Sequence, residues 1–154
     1  MMKIVSNELF FAWVEEELAK GNNVRIRMKG VSMLPLLRGE KDEVLLAPCP
    51  PDELKPMDVV LFHFRGKHVL HRIIRRKGDW LRIQGDGSFV AVEQCHTKDV
   101  VGKVIKVYRP SGREVSVDSW RWQWPSRLWR CSDTLRRLML RVIHLFRAKK
   151  REEL

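Results

Sequence analysis

No stretch of this sequence approaches the ~18 uninterrupted apolar residues that a membrane-spanning helix needs. The densest apolar runs, residues 9–14 and 142–146, are short. The first stops at Glu15-Glu16-Glu17, which the core of a signal peptide does not tolerate. These absences predict a chain that is neither exported nor threaded through a bilayer. Cysteine is scarce: Cys49, Cys95 and Cys131 are an odd number with no CxxC spacing. That pattern argues against a disulfide framework and a structural zinc site, and it points to reduced thiols in a cytoplasmic setting. Internal repeats and low-complexity tracts are absent. Negative charge is in short supply, with 19 acids against 30 Lys and Arg.

What is present fits one domain. A chain of 154 residues, 44% hydrophobic and 32% charged, can bury one sizeable core but not two with a linker between them. The net charge of +11 is uneven. Residues 119–154 hold ten Lys or Arg and three acids, a net of +7, which leaves +4 for residues 1–118. A basic segment of this kind is attracted to nucleic acid or to an anionic membrane surface, unless it is simply a solvated helix face.

Residues 7–20 read as a short amphipathic helix with Leu9, Phe10, Trp13, Val14 and Leu18 on one face. Ser6 or Asn7 caps its start, and Gly21-Asn22-Asn23 stops it. The period then changes to two: Val24, Ile26 and Met28 alternate with Arg25, Arg27 and Lys29, the pattern of a half-buried strand. Further short strands follow at 43–47, 58–64, 68–76, 80–84, 100–108 and 113–117, separated by turn residues. Strands this short and this closely spaced predict a mainly β domain over residues 24–118, a small coiled antiparallel barrel or sandwich. An N-terminal helical segment, residues 1–23, precedes it.

Four of the six tryptophans lie at Trp120, Trp122, Trp124 and Trp129. The alternating Trp120-Arg121-Trp122-Gln123-Trp124 reads as a final strand or an extended linker. A helix is expected to start at Pro125-Ser126. Its apolar stripe is Leu128, Leu135, Leu138, Met139, Val142, Ile143 and Phe146, and most arginines lie opposite, so residues 119–154 form an amphipathic, cationic tail.

Three residues stand out as chemistry. Ser32 sits in Gly30-Val31-Ser32-Met33-Leu34-Pro35, where a sharp bend can expose a hydroxyl. His71 sits in Leu70-His71-Arg72-Ile73-Ile74 and shares a strand face with Val69 and Ile73, as suits a half-buried general base. Asp86, in Gln84-Gly85-Asp86-Gly87, is placed to orient that histidine. Each has an ordinary reading too: a turn serine, a hydrogen-bonded core histidine and a turn aspartate.

Together these segments resemble the signal-peptidase-like serine proteases. Gly30-Val31-Ser32-Met33-Leu34-Pro35 is similar to their nucleophile box. Leu54-Lys55-Pro56-Met57-Asp58-Val59-Val60 is similar to the K-x-G-D-V-V strand, with Met57 where glycine is usual. Leu70-His71-Arg72-Ile73-Ile74 is similar to the base-bearing strand, Gln84-Gly85-Asp86-Gly87 to the GD box, and Val101-Gly102-Lys103-Val104 to the closing strand. The five occur in the family's order over roughly residues 24–108. A histidine rather than a lysine at the base position resembles the Ser-His branch, and Asp86 is then the matching supporting acid. Lys67, the nearest lysine, lies in an exposed turn. The chain departs from the family in lacking membrane-spanning anchors, in having Gly30 where some members carry an oxyanion-hole hydroxyl, and in lacking a second acid directly after the GD box, although Glu93 is close.

The resemblance implies a serine endopeptidase that cleaves a peptide or protein precursor with Ser32, His71 and Asp86, without a metal or organic cofactor. The tail, residues 119–154, would supply peripheral contact with anionic lipid at the inner membrane face, or else would pack on the core. Two other readings remain: a nucleic-acid-binding module, which the interleaved Trp and Arg suit but no sequence-reading motif supports, and a catalytically inactive peptide-binding member of the same fold.

Overall fold

A computed structural model describes residues 7–88 and 91–152, so Ser6, one of the two expected helix caps, lies outside the described residues. The expected first helix forms as α1, Asn7–Ala19, and buries Val14 and Leu18. Eight strands follow: β1 Val24–Arg27, β2 Glu43–Ala47, β3 Val59–Phe64, β4 Lys67–Lys77, β5 Trp80–Gln84, β6 Glu93–His96, β7 Val100–Tyr108 and β8 Glu114–Ser116. All pairings are antiparallel, in the order β1-β2-β7-β3-β4-β5-β6, with β8 added to β7.

The mainly antiparallel β architecture is as the spacing predicts, but the sheet does not close into a barrel. Its ends are β1 and β6, four residues each. Helices cover the apolar surface that closure would bury: Val14 and Leu18 of α1, and Trp122 from the segment after β8, join one core with β1, β2, β7 and β8. Irregular register in the β2–β7, β3–β7 and β4–β5 pairs adds the local twist that coils the sheet. β3 is buried on both faces. Val59 and Leu61 enter that first core, while Val60 and Phe62 enter a second one with Ile73, Leu81, Ile83 and Cys95. Burial pushes the Cys95 thiol up to about 12, so it stays protonated.

The tail departs most from expectation. Trp120-Arg121-Trp122-Gln123-Trp124 is neither strand nor linker: α2 spans Trp120–Arg130, and Pro125 lies inside it rather than at its start. The period of two in the tryptophans is a coincidence of composition. The buried positions are Trp122, Ser126 and Trp129, spaced four and three as on one helix face. A second helix, α3, spans Asp133–Glu152. It turns Arg136 and Leu140 inward and leaves most of the expected apolar stripe exposed, Phe146 by 71%.

The loop between β1 and β2, which carries Ser32, is tied down at its far end by Asp42. This carboxylate is fully buried and accepts hydrogen bonds from the Arg38 backbone at 2.8 Å, from Arg38 Nη2 at 3.0 Å and from Arg109 Nη1 at 2.5 Å. Arg109 also donates to the Leu36 carbonyl at 3.0 Å. Burial alone would push the Asp42 carboxyl up. The Arg38 hydrogen bonds and the Arg109 and Arg38 charges outweigh it and hold the group below the ordinary carboxylate range. A depressed folded-state pKa stabilises the fold above the unfolded value and loses that contribution as pH falls through the folded one. Asp42→Asn is therefore expected to lower unfolding free energy in urea by about 3 kcal/mol at neutral pH. The difference from wild type should shrink in acid, and a constant difference down to pH 2 would contradict the assignment.

Candidate active site

β3 and β4 form a hairpin in which Val60 lies opposite His71. Opposed residues share a face, so His71 points with Val60 and Phe62 toward the second core, and its ring lies 6.2 Å from that of Phe62. Successive strand residues alternate, so Arg72 points to the other face. His71 is 7% exposed.

The register carries a carboxylate to His71. Ile73 opposes Ile83, and Ile83 opposes Glu93 across the next pair. All three share a face with His71, two residues before Ile73. Glu93 Oε2 lies 3.2 Å from His71 Nδ1, which makes Glu93 the acid beside the imidazole.

Asp86 is elsewhere. Its carboxylate accepts Arg72 Nε at 2.9 Å and Arg72 Nη2 at 2.8 Å, with both residues fully buried. Arg72 Nη1 donates to the Met57 carbonyl at 3.0 Å. The expectation that Asp86 orients His71 is thereby corrected. Arg72 presents a planar fork that takes both carboxylate oxygens, and strand alternation sends that fork away from His71. The tail completes the enclosure. Trp129 Nε1 donates to the Asp86 carbonyl at 2.9 Å, and Arg130 donates to Gln84 Oε1 at 2.7 Å and lies 3.3 Å from the Asp86 carboxylate. Burial, with Arg136 and Arg72 nearby, pushes Arg130 down to about 10 against the pull of Asp86.

Ser32 is exposed in its loop, directly before the buried Met33, and Leu37 is a second buried anchor further along. The Gly85-Asp86-Gly87 loop presses directly on it. Gly87 N–H donates to the Ser32 carbonyl at 2.8 Å. A Cβ on Gly85 would lie 2.4 Å from that carbonyl oxygen and 3.0 Å from His71 Nε2, so only glycine fits where the three segments meet. The Ser32 backbone and the free edge of His71 thus flank the same point. Among the described residues, Ser32 Oγ makes no hydrogen bond to His71, and the Ser32 N–H is unpaired.

From Ser32 a groove of about 660 Å³ runs between α1, β1 and the first half of β4, lined by Phe10, Phe11, Ile26, Met28, Val69 and Leu70 among others. Among the described residues, β1 pairs only with β2, and residues 67–70 of β4 pair only with β3, because β5 joins at Arg72. Both walls therefore carry unpaired strand edge.

Sequence reasoning named Ser32 and His71, whose carbonyl and ring both lie against Gly85, but missed Glu93 as the histidine's partner and Arg72 as the aspartate's. Strand alternation across His71-Arg72 held the signal for the second. The first needed β6, whose Glu93-Gln94-Cys95-His96 has no clear apolar period. No known protein family matches this chain, and no curated protein does so either.

Asp86→Ala leaves the Arg72 guanidinium buried and unpaired, so it should cost about 3–5 kcal/mol in equilibrium unfolding. Glu93→Gln, which keeps a hydrogen-bonding group at the sheet margin, should cost under about 1 kcal/mol. Equal losses would mean that the two carboxylates do not differ in their structural roles.

Proposed function

We propose that this chain is a serine endopeptidase acting on extended peptide or protein precursors, with Ser32 as nucleophile, His71 as base and Glu93 as the acid behind it. The observation that carries the reading is the convergence at Gly85: an exposed serine loop, the Nε2 edge of a buried histidine, and a carboxylate on the histidine's other nitrogen. That is the relay a hydroxyl needs to become a nucleophile. Met57 adds support to the signal-peptidase-like resemblance: its φ is 81°, a conformation that favours the glycine usual at that position.

A substrate strand lying in the groove pairs its backbone with β1, β4 or both, so recognition depends on an extended shape more than on sequence. Ser32 Oγ attacks the scissile carbonyl as its proton passes to His71 Nε2. Glu93 stabilises the imidazolium through Nδ1. The unpaired Ser32 N–H is the backbone donor available to the developing oxyanion. The imidazolium then protonates the leaving amine as the C–N bond breaks. Water, deprotonated by His71, cleaves the acyl ester and restores the serine.

Labelling by a serine-directed phosphonylating probe tests this directly. Wild type should label, and Ser32→Ala should not. His71→Ala should slow labelling by at least ~100-fold, and Glu93→Gln by a smaller factor. Unchanged labelling of Ser32→Ala would remove the peptidase reading and leave a peptide-binding groove.

α3 adds a second element, contact with an anionic bilayer. Leu135, Leu138, Val142, Leu145 and Phe146 are exposed on a helix whose remaining surface is rich in arginine and lysine. No helix among the described residues is long and apolar enough to cross a membrane. An apolar stripe with basic flanks instead suits a helix lying in the interface. Such contact would hold the groove near membrane-bound precursors. In liposome co-sedimentation, binding should rise with anionic lipid and fall with salt, each basic side chain contributing about 1 kcal/mol. Leu145→Glu with Phe146→Glu should abolish it, and equal sedimentation of this variant would rule it out.

A further inference from the structure

His63 and His68 stand directly opposite each other across the β3–β4 hairpin, and His68 also lines the groove that runs from Ser32. Opposed side chains share a face, and the two imidazoles lie 4.3 Å apart, centroid to centroid. α1 brings Glu15 to the edges of both rings. Both Nε2 atoms converge on one carboxylate oxygen, Glu15 Oε1, which is 2.8 Å from His63 and 2.5 Å from His68. The three donor atoms lie within 4.8 Å of one another. Phe11, one turn earlier on α1, stacks on His68 at 4.3 Å and 5°, which fixes the plane and direction of that ring. The cluster is open to solvent: His63 and Glu15 are 45% and 39% exposed.

Two imidazole nitrogens and one carboxylate oxygen, aimed at one point with an open side, form the donor set of a divalent transition metal. Calcium and magnesium demand more oxygen ligands than the cluster offers. We propose that Glu15, His63 and His68 bind a divalent d-block cation such as Zn²⁺, which fastens α1 to the β3–β4 hairpin. Metal–ligand bonds of about 2.0–2.2 Å in tetrahedral geometry set donors ~3.3 Å apart. The Glu15 carboxylate would need to withdraw by less than ~1 Å, within reach of a side-chain rotation. Water would occupy the remaining positions. Because Phe10 and Phe11 of α1 line the groove beside Ser32, the cation would also stiffen one wall of that groove. The proposal does not depend on the peptidase reading.

The alternative is an ion pair between Glu15 and a protonated histidine, with no affinity for metal. Calorimetric titration of the full chain with zinc chloride separates the two, together with visible absorption on adding Co²⁺ and amide hydrogen exchange of α1. The variants are His63→Ala, His68→Ala, the double variant and Glu15→Gln, with circular dichroism to confirm folding. His63 is half exposed, so its variant tests the site even if others unfold. Wild type should take up one Zn²⁺ per chain, show the intense visible bands of low-coordinate Co²⁺, and protect α1 amides more strongly once loaded. Each single variant should bind at least ~10-fold more weakly. Undiminished binding by His63→Ala or by the double variant would overturn the site. Binding that leaves α1 exchange unchanged would overturn the fastening.

Discussion

The buried ion pair of Arg72 and Asp86 holds the candidate site in register. A guanidinium and a carboxylate, both shielded from water, are tolerable only if each meets the other in good geometry and the remaining donors find partners. Arg72 satisfies this by clasping Asp86 and capping the Met57 carbonyl. The consequence is positional. Arg72 is the neighbour of His71 on β4, and Asp86 is the neighbour of Gly85 in the loop. Fixing one pair therefore presses Gly85 between the His71 ring and the Ser32 carbonyl. The aspartate contributes by locating the loop, while the histidine's electrostatic partner comes from β6.

The two tail helices divide structural and exposed roles. α2 is part of the domain: Trp122 closes the first core, Trp129 donates to the Asp86 carbonyl, and Arg130 reaches Gln84. Three arginines, Arg72, Arg130 and Arg136, crowd around Asp86 and Gln84, and burial, with a smaller part from that crowding, lowers the affinity of Arg130 for its proton. α3 uses Arg136 and Leu140 to dock and turns its apolar stripe outward. The charge excess of residues 119–154 is thus partly a buried clamp and partly an exposed basic surface.

Much of the sheet was legible because a half-buried strand writes its burial into alternate residues. Glu43–Ala47, Trp80–Gln84 and Val100–Tyr108 carry that period and form where it predicts. The helix at Asn7–Ala19 was legible through its Gly21-Asn22-Asn23 stop and part of its apolar face: Val14 and Leu18 are buried as expected, while Leu9 and Trp13 stay exposed. Trp120-Arg121-Trp122-Gln123-Trp124 misled for the converse reason. Its alternation reflects which residues are aromatic, whereas the protein buries Trp122 and Trp129 and leaves Trp120 and Trp124 exposed. β6 was illegible because its place depends on pairing with β5, not on a pattern of its own.

The sequence by itself determined the strand periods, the turn positions, the concentration of positive charge near the C-terminus, and Ser32 and His71 as the candidate pair. These are local properties, set by backbone preference and by which side chains avoid water. It could not determine which carboxylate faces which cation, because Asp86, Glu93, Arg72 and His71 are distributed over two strands and a loop. Their partners follow from strand register and from the side of the sheet on which each stands. Only the assembled sheet decided that Glu93 meets His71, that Asp86 meets Arg72, that the sheet stays open with helices packed against it, and that Glu15 meets His63 and His68.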